Sequence, residues 1–597
     1  MGKTVGKIGC ERGRGMANNT GSMSKTVSEL MIDMLAAQGV KRIYGIAGDS
    51  LNPLMEAMQT DKRIRWVHVR HEETAAFAAG AEAQVSGRLA ACCGSCGPGN
   101  LHLINGLYDA HRSAAPVFAL ASHIPLPYIG SEYFQETHPT HFYAECTRYR
   151  ELIATPEQAG TVVGSAIRAA QAGPGVGMVV LPGDVAAMPT AGYTPPPVQP
   201  AAAEAEPAAG EVKELAEMIN KASRVVFFCG AGCAAAREPL LALARKVAAP
   251  VAYTLRAKDI LEADNPLAVG MSGLIGWGDA TRAMHEAELL VMWGTDFPYS
   301  SFLPAHGHTV QVDTNAQALG RRTPICLGIH ADVGRTAQAL LPLVRADRGD
   351  EFLGRCLSRH GREQAALQAH IRHHDEHAPI RPEYLTKLTG DLAEPDAIFT
   401  VDTGTPVIWC ARYLQAMPRR RILGSFKHGS MACALAMAIG AKCACPTRQV
   451  IALCGDGGLS MLPGDILTLM QEGLAVKILV YNNSSLDFVA LEQEIAGIPS
   501  LGTALPPTDY AAIARSMGIA GRRVATPPEL PAALREWLAA TGPALLDVAV
   551  DTHALALPPD MGLLRALGYA QHSAPHALRH ELDTVKRLLF GNPRFFR

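Results

Sequence analysis

Two hard oxygen donors, the Asp456 carboxylate and the Asn483 carboxamide, flank most of the stretch RQVIALCGDGGLSMLPGDILTLMQEGLAVKILVYNN, residues 448–483. Gly455-Asp456-Gly457-Gly458 breaks the apolar run Val450–Cys454 and opens a helix whose first amides lack intrahelical partners. Such amides, at the positive end of a helix dipole, bind phosphate, and the two oxygen donors suit magnesium. Together they describe a magnesium–diphosphate site. A Gly-Asp-Gly turn alone is a weak signal, because such turns end many strands without a ligand. Asn482-Asn483 at the end of the next apolar run makes it strong.

For Asp456 and Asn483 to meet, the stretch must fold as a strand, a glycine turn, a helix and a second parallel strand. The same order recurs upstream. Leu89–Cys93 reads as a strand, runs into Gly94-Ser-Cys-Gly97-Pro-Gly99-Asn100, and leads to a helix expected over Leu101–Ala110, so two related α/β units are expected. Before it, helical spacing covers Thr26–Gln38 and a strand covers Val40–Ile46. A further strand over Arg65–Arg70 delivers His71-Glu72-Glu73 ahead of a helix over Thr74–Val85. Val117–Ala121 and Gly177–Leu181 supply more strands.

A Pro/Ala-rich segment, Thr194–Pro207, cannot pack a core and reads as a linker. Past Glu211 come a helix, the strand Arg224–Cys229, and Gly230-Ala-Gly232-Cys233 opening a helix over Arg237–Ala248. Strands at Val251, Leu289–Trp293 and Thr309–Val312 follow, the last closing on Asp313. Gly230-x-Gly232 resembles a truncated dinucleotide loop with Asp313 as a ribose-binding acid, but the third glycine is missing, and plain turn chemistry explains the pair equally well. Charged helical sequence over 347–377 leads to a strand at Ala397–Val401. The expected architecture is α/β, with parallel sheets flanked by helices in three domains. These span 25–193, 211–346 and 347–555, with a disordered lead at 1–24, a linker at 194–210 and a tail at 556–597.

With 54 Lys+Arg against 56 Asp+Glu, no global field attracts nucleic acid. The longest apolar run, Met431–Ala441, is too short to span a bilayer. The 14 cysteines form no disulfide framework and no signal peptide precedes them, so a reducing cytoplasm is expected. Cys93-Gly-Ser-Cys96, without a second such pair, reads as buried loop packing.

The segments RHEETAAFAAGAEAQVSG (70–87), GSCGPGNLHLINGLYDAHR (94–112), GSEYFQETHP (130–139), VGMSGLIG (269–276), GSFKHGSMA (424–432) and CGDGGLSML (454–462) resemble the pyruvate oxidase branch of the thiamine diphosphate enzymes. The likeness is strongest to the quinone-dependent pyruvate dehydrogenases and runs from about residue 24 to about 555. It implies a pyrimidine-binding, an FAD-binding and a diphosphate-binding domain in that order. Glu72 matches the carboxylate that drives the imino tautomer of the cofactor. Asp456, the Asn483 side chain and the Ser485 carbonyl match the magnesium ligands. Gly457, Gly458, Ser484, Ser485, Leu486, Asp487, Phe488 and Val489 line the diphosphate. Gly429-Ser430-Met431 matches the loop that props the cofactor into a V. Phe134, Gln135, Phe488 and Glu492 match residues near substrate or on the route to the flavin. Gly270-Met271-Ser272-Gly273-Leu274, Thr295-Asp296-Phe297-Pro298-Tyr299 and Asp313 match FAD-contacting segments.

The activity so implied is oxidative decarboxylation of pyruvate to acetate and carbon dioxide, with electrons passing through FAD to a membrane quinone. Two alternatives stay open: an acetolactate synthase-like carboligase with structural FAD, and an oxygen-dependent oxidase. Thr403 stands where an apolar Val is expected against the substrate methyl, and Asp487 where Gly is usual, so another 2-oxo acid is open too. Because Glu72 and Asp456 belong to different domains, one cofactor must bridge them. The resemblance implies that this happens between subunits of a homotetramer. In the tail, Leu578, Leu582, Val585 and Leu589 share a helical face among basic residues. A peripheral contact with the cytoplasmic face of the inner membrane and packing on the protein's own surface are equally good readings.

Overall fold

The computed structural model describes residues 24–173, 175–190, 205–346, 349–372, 379–495, 499–552 and 554. The expected tail, residues 1–23 of the expected lead and residues 194–204 of the expected linker lie outside the described residues, and the helix Ala209–Lys221 begins within the expected linker.

Each domain is built on one sheet. In the first, β1 (Arg42–Gly45), β2 (Arg65–His68), β3 (Ala90–Gly94), β4 (Val117–His123), β5 (Tyr149–Leu152) and β6 (Val176–Pro182) pair in the order β2-β1-β3-β4-β6-β5, all parallel. The central sheet uses β7 (Val225–Cys229), β8 (Val251–Tyr253), β9 (Ala268–Met271), β10 (Trp277–Gly278), β11 (Leu289–Trp293), β12 (His308–Asp313) and β13 (Leu327–His330). Its order is β10-β9-β8-β7-β11-β12-β13, with only β10 antiparallel. The third has β14 (Ile398–Val401), β15 (Arg421–Gly424), β16 (Val450–Gly455), β17 (Val476–Asn482), β18 (Ala520–Val524) and β19 (Ala544–Ala549) in the order β15-β14-β16-β17-β19-β18, again all parallel.

The first and third orders are the same permutation, which bears out the expectation of two related units. Every residue of β3, β4, β6 and β17 is buried, because helices cover both faces of a parallel sheet and the strands need apolar side chains on both. β5 escapes a periodicity reading. It is a half-exposed edge strand, Tyr-Arg-Glu-Leu, with no apolar run. In the three sheets the order reverses between β1 and β3, β7 and β11, and β14 and β16, and in the first and third it turns back again at β6 and β19. Open α/β sheets bind ligands in the crevice outside the strand ends at such reversals.

Two of the helices that differ from the expected bounds bear on the site. The first runs Glu72–Ser86, two residues earlier than expected, because His71 caps it and its ring accepts a hydrogen bond from the Glu73 amide at 3.2 Å. The expected Leu101–Ala110 helix is two, Pro98–His102 and Ile104–Arg112.

First and third domains share one core, in which the Glu72–Ser86 helix packs on the helix Cys433–Ala444. Both are rich in alanine and glycine, so their backbones approach closely. A Cβ on Gly440 would collide with the Ala78 carbonyl.

Candidate active site

β16 ends at Gly455, and the short helix Asp456–Leu459 begins at the β14–β16 reversal. Asp456 is buried, with Oδ1 accepting the Gly457 amide at 2.8 Å and Oδ2 the Ser484 amide at 2.6 Å. Asn483 is buried too, and its Oδ1 accepts the Ser485 amide at 3.1 Å. The strand–helix–strand crossover therefore brings Asp456 and the 483–485 turn together, as their spacing requires. The neighbour Asn482 is engaged elsewhere, donating to the Thr508 carbonyl and to Asp547, each at 2.9 Å. Burial pushes the Asp456 carboxyl up to about 6. A cation against the Asp456 carboxylate offsets that cost, so the desolvated carboxylate and carboxamide fit a small divalent ion. Among the described residues, no cluster of three or more His, Cys, Asp or Glu offers a metal site of another kind.

The glycines hold the turn open. A Cβ on Gly457 would lie 2.5 Å from Leu486 Cδ2 and 3.4 Å from Met431 Cε, so Met431 and Leu486 close over that residue. A Cβ on Gly458 would collide with Oδ2 of Asp402, at the end of β14. Asp402 is fully buried and has Oδ1 on the Ala434 amide at 2.8 Å, while its Oδ2 has no hydrogen-bond partner. Burial drives its carboxyl up to about 7. The pattern gave no hint of this residue beyond its place in Asp402-Thr403-Gly404.

Glu72 is the first residue of its helix and is buried. His102 Nδ1 lies 2.9 Å from its Oε2, and a Cβ on Gly99 would lie 2.9 Å from its Oε1. The His102 ring stacks on His71 at 4.4 Å. His102 has no periodic relation to Glu72, and only the turn after β3 brings it there. Asp465, just past the Asp456 turn, accepts from the Arg70 amide at 2.8 Å and from Thr74 Oγ1 at 2.6 Å. Asp465 thus joins the third domain to residues flanking Glu72.

The remaining candidates divide. Gln135, at φ +62°, packs over Gly97 and accepts from Cys96 Sγ at 3.3 Å, whereas Phe134 is 78% exposed. Phe134 thus lies at the surface of the single chain, apart from the Glu72–His102 pair. Cys93 and Cys96 are buried and unpaired, as loop packing requires. On the helix Asp487–Ile495, Asp487 is buried and Phe488 half-buried against the third-domain core, while Val489 and Glu492 are exposed. Burial first, then the Glu492 charge, raises the Tyr299 phenol, so this helix faces the central domain.

There, segments 270–274 and 295–299 meet. A Cβ on Gly273 would lie 3.1 Å from Phe297 Cζ. Asp313 ends β12 beside them, with its carboxyl raised mainly by burial. These residues sit at the carboxyl ends of β9, β11 and β12, the side of a parallel sheet on which open α/β folds bind ligands. Gly230 and Gly232 have another task. A Cβ on either would lie within 2.5–2.7 Å of Gly294, so close packing where β7 and β11 diverge already accounts for both.

Three family models match in chain order: thiamine pyrophosphate enzyme, N-terminal TPP binding domain, over residues 25–144; central domain, over 212–340; and C-terminal TPP binding domain, over 402–548. A putative thiamine pyrophosphate-containing protein of Bacillus subtilis, YdaP, is 31% identical over 94% of this chain and 97% of its own length. The chain belongs to the thiamine pyrophosphate enzyme family. Other relatives of this thiamine pyrophosphate enzyme include the pyruvate oxidase of Lactiplantibacillus plantarum, 30% identical over 87% of this chain and 88% of the relative. The acetolactate synthase isozyme 1 large subunit of Escherichia coli is likewise 30% identical, over 89% and 95%. No helix among the described residues is long and apolar enough to cross a membrane.

Proposed function

We propose that the chain is a thiamine diphosphate-, magnesium- and FAD-dependent enzyme that oxidatively decarboxylates pyruvate, or a closely similar 2-oxo acid, to the carboxylic acid and carbon dioxide. The observation that carries this reading is a pair of half-sites on different domains. One is the Glu72–His102 pair, and the other is the Asp456–Asn483 turn under Met431 and Leu486. Thiamine diphosphate, when bound, would supply the carbon acid that adds to a 2-oxo acid, and FAD would take up the two electrons left on that carbon once carbon dioxide has departed, with water supplying the second oxygen of the acid product. Glu72 holds or moves a proton at its Oε atoms, and burial with one His102 contact fixes where that proton can go. Asp456, the Asn483 side chain and the Ser485 carbonyl hold the magnesium, while the 457–458 and 484–489 segments hold the phosphates. Segments 270–274 and 295–299 with Asp313 hold FAD, and Glu492 on its helix faces Tyr299.

Electrons then pass to a membrane quinone. The basic, amphipathic sequence of 556–597 supports a peripheral membrane contact, and the split of cofactor-binding residues between domains supports a homotetramer. Equal identity to an acetolactate synthase favours a second reading, a carboligase with structural FAD. One experiment separates the two: anaerobic mixing with a panel of 2-oxo acids, followed by reoxidation with quinone or oxygen. Flavin bleaching with acetate formed and quinone reoxidation supports the first. Acetolactate with an unbleached flavin overturns it, and peroxide release on reoxidation redirects it to an oxidase. The mass in solution tests the tetramer.

A further inference from the structure

The carboxyl ends of β8, β11, β12 and β15 gather more positive charge than their own acids need. Asp296, just past β11, has a side chain only 11% exposed and pairs with Arg321, with Arg322 Nε at 3.2 Å and with Lys427 Nζ at 3.9 Å. Asp313 ends β12, and its Oδ1 accepts the Asn315 amide at 2.8 Å. Arg256, just past β8, donates to the Ser113 carbonyl at 2.9 Å, and its charge acts on Lys427 together with those of Arg321, Asp296 and Asp313. Four cations thus face two carboxylates, which leaves a surplus of two positive charges.

Lys427 is the member of this group with no other task. It comes from the third domain, in the loop that follows β15, and its side chain is 30% exposed. Among the described residues its ammonium has no hydrogen-bond acceptor, because 3.9 Å to Asp296 is too long for one. Asp296 does not require it either, since two guanidinium groups already sit closer. Burial first, and then the Arg256 charge, push the ammonium below the ordinary lysine range. Keeping it charged here therefore costs free energy that a bound anion offsets.

The position and the surplus together say which anion fits. This is the side of a parallel sheet on which open α/β folds bind ligands, beside segments 270–274 and 295–299. The rings of a flavin dinucleotide are neutral, and its diphosphate carries the negative charge. Lysine meets phosphate as a point charge, and arginine meets it through paired N–H donors.

We propose that Lys427 is a residue of the FAD site contributed by the third domain, where it recognises the dinucleotide's diphosphate together with Arg256, Arg321 and Arg322. This rests on the proposed FAD dependence, and all four cations and both carboxylates belong to one chain.

The test uses the full-length protein freed of flavin, with magnesium and thiamine diphosphate present, and reads the dissociation constants of FAD, ADP and riboflavin by equilibrium dialysis. Lys427→Met keeps the stem and removes the charge. It is expected to weaken FAD and ADP by about tenfold or more while riboflavin, which has no phosphate, stays within about twofold. Lys427→Arg keeps the charge and is expected to retain most of the affinity. Salt should weaken FAD binding more in the wild type than in Lys427→Met. Lys387→Met, which removes an exposed cation paired with Asp391, is expected to change none of the three. If Lys427→Met does not fold, Arg322→Met removes a second charge of the group and reads the same difference. FAD and riboflavin weakened by one common factor, or FAD and ADP bound as tightly as by the wild type, overturn the inference and leave FAD dependence standing. ADP binding that needs Lys427, beside no uptake of flavin, keeps the diphosphate site and overturns FAD dependence. A wild type that binds none of the three overturns both.

Discussion

His102 Nδ1 sits 2.9 Å from Glu72 Oε2, joining the first turn of one helix to the last residue of another at the edge of the first domain. The pair places a buried carboxylate against one imidazole nitrogen, an arrangement suited to moving one proton.

Replacing Glu72 by Gln keeps the shape and removes the acid. Turnover is expected to fall by about a hundred- to ten-thousandfold, the usual worth of a positioned acid or base. Thiamine diphosphate should still bind, as equilibrium dialysis with magnesium would show. A Glu72→Gln protein that turns over at the wild-type rate would assign the proton transfer to another group.

Magnesium and diphosphate should bind as a unit at Asp456. Chelation is expected to release the cofactor and added magnesium to restore it. Asp456→Ala should weaken thiamine diphosphate binding by at least the roughly ten- to hundredfold that loss of an outer-shell metal partner costs. Calorimetric titration with and without chelator measures both. Identical affinities in the two conditions contradict the proposed ligand set.

Asp402 makes the apoprotein's stability pH-dependent. Burial drives its carboxyl up to about 7, whereas an unfolded chain leaves an Asp near about 3.9. Between those values the folded state holds the extra proton. Its contribution to stability is therefore full below the lower value and is lost as pH rises through the upper one. Asp402→Asn keeps an acceptor for the Ala434 amide and cannot ionise, so its urea midpoint should fall less than that of wild type between pH 5 and pH 8. Parallel slopes for the two proteins would show that Asp402 does not carry the effect.

Gly440→Ala tests the shared core. Alanine gains about 1 kcal/mol of helix propensity over glycine. Its Cβ meets the Ala78 carbonyl, a backbone atom that cannot swing aside, and overpacking of this kind costs about 1–3 kcal/mol or more. A net fall in melting temperature is expected, read by thermal denaturation of the apoprotein. A rise would mean that the two helices separate at little cost.

Much of this protein is legible in its sequence because parallel sheets leave a strong trace. Buried strands such as β4 and β16 read as mostly apolar runs, and a glycine turn at a strand's end marks where the backbone must stay open to a ligand. That local grammar gives the α/β class, the repeated unit and the Asp456–Asn483 pair. Edge strands such as β5, half-exposed and polar, leave no such trace.

Contacts between distant segments are a different matter. Whether Gly230 and Gly232 serve a phosphate or a neighbouring strand depends on Gly294, which only the sheet order places beside them. His102 reaches Glu72, and Asn105 reaches Ser430, because a helix breaks in two and two domains pack through small residues. Residue types and short spacings record which groups can do chemistry. Which of them meet is decided by how the helices pack, since side-chain periodicity specifies the buried face of each element and not its partner across the core.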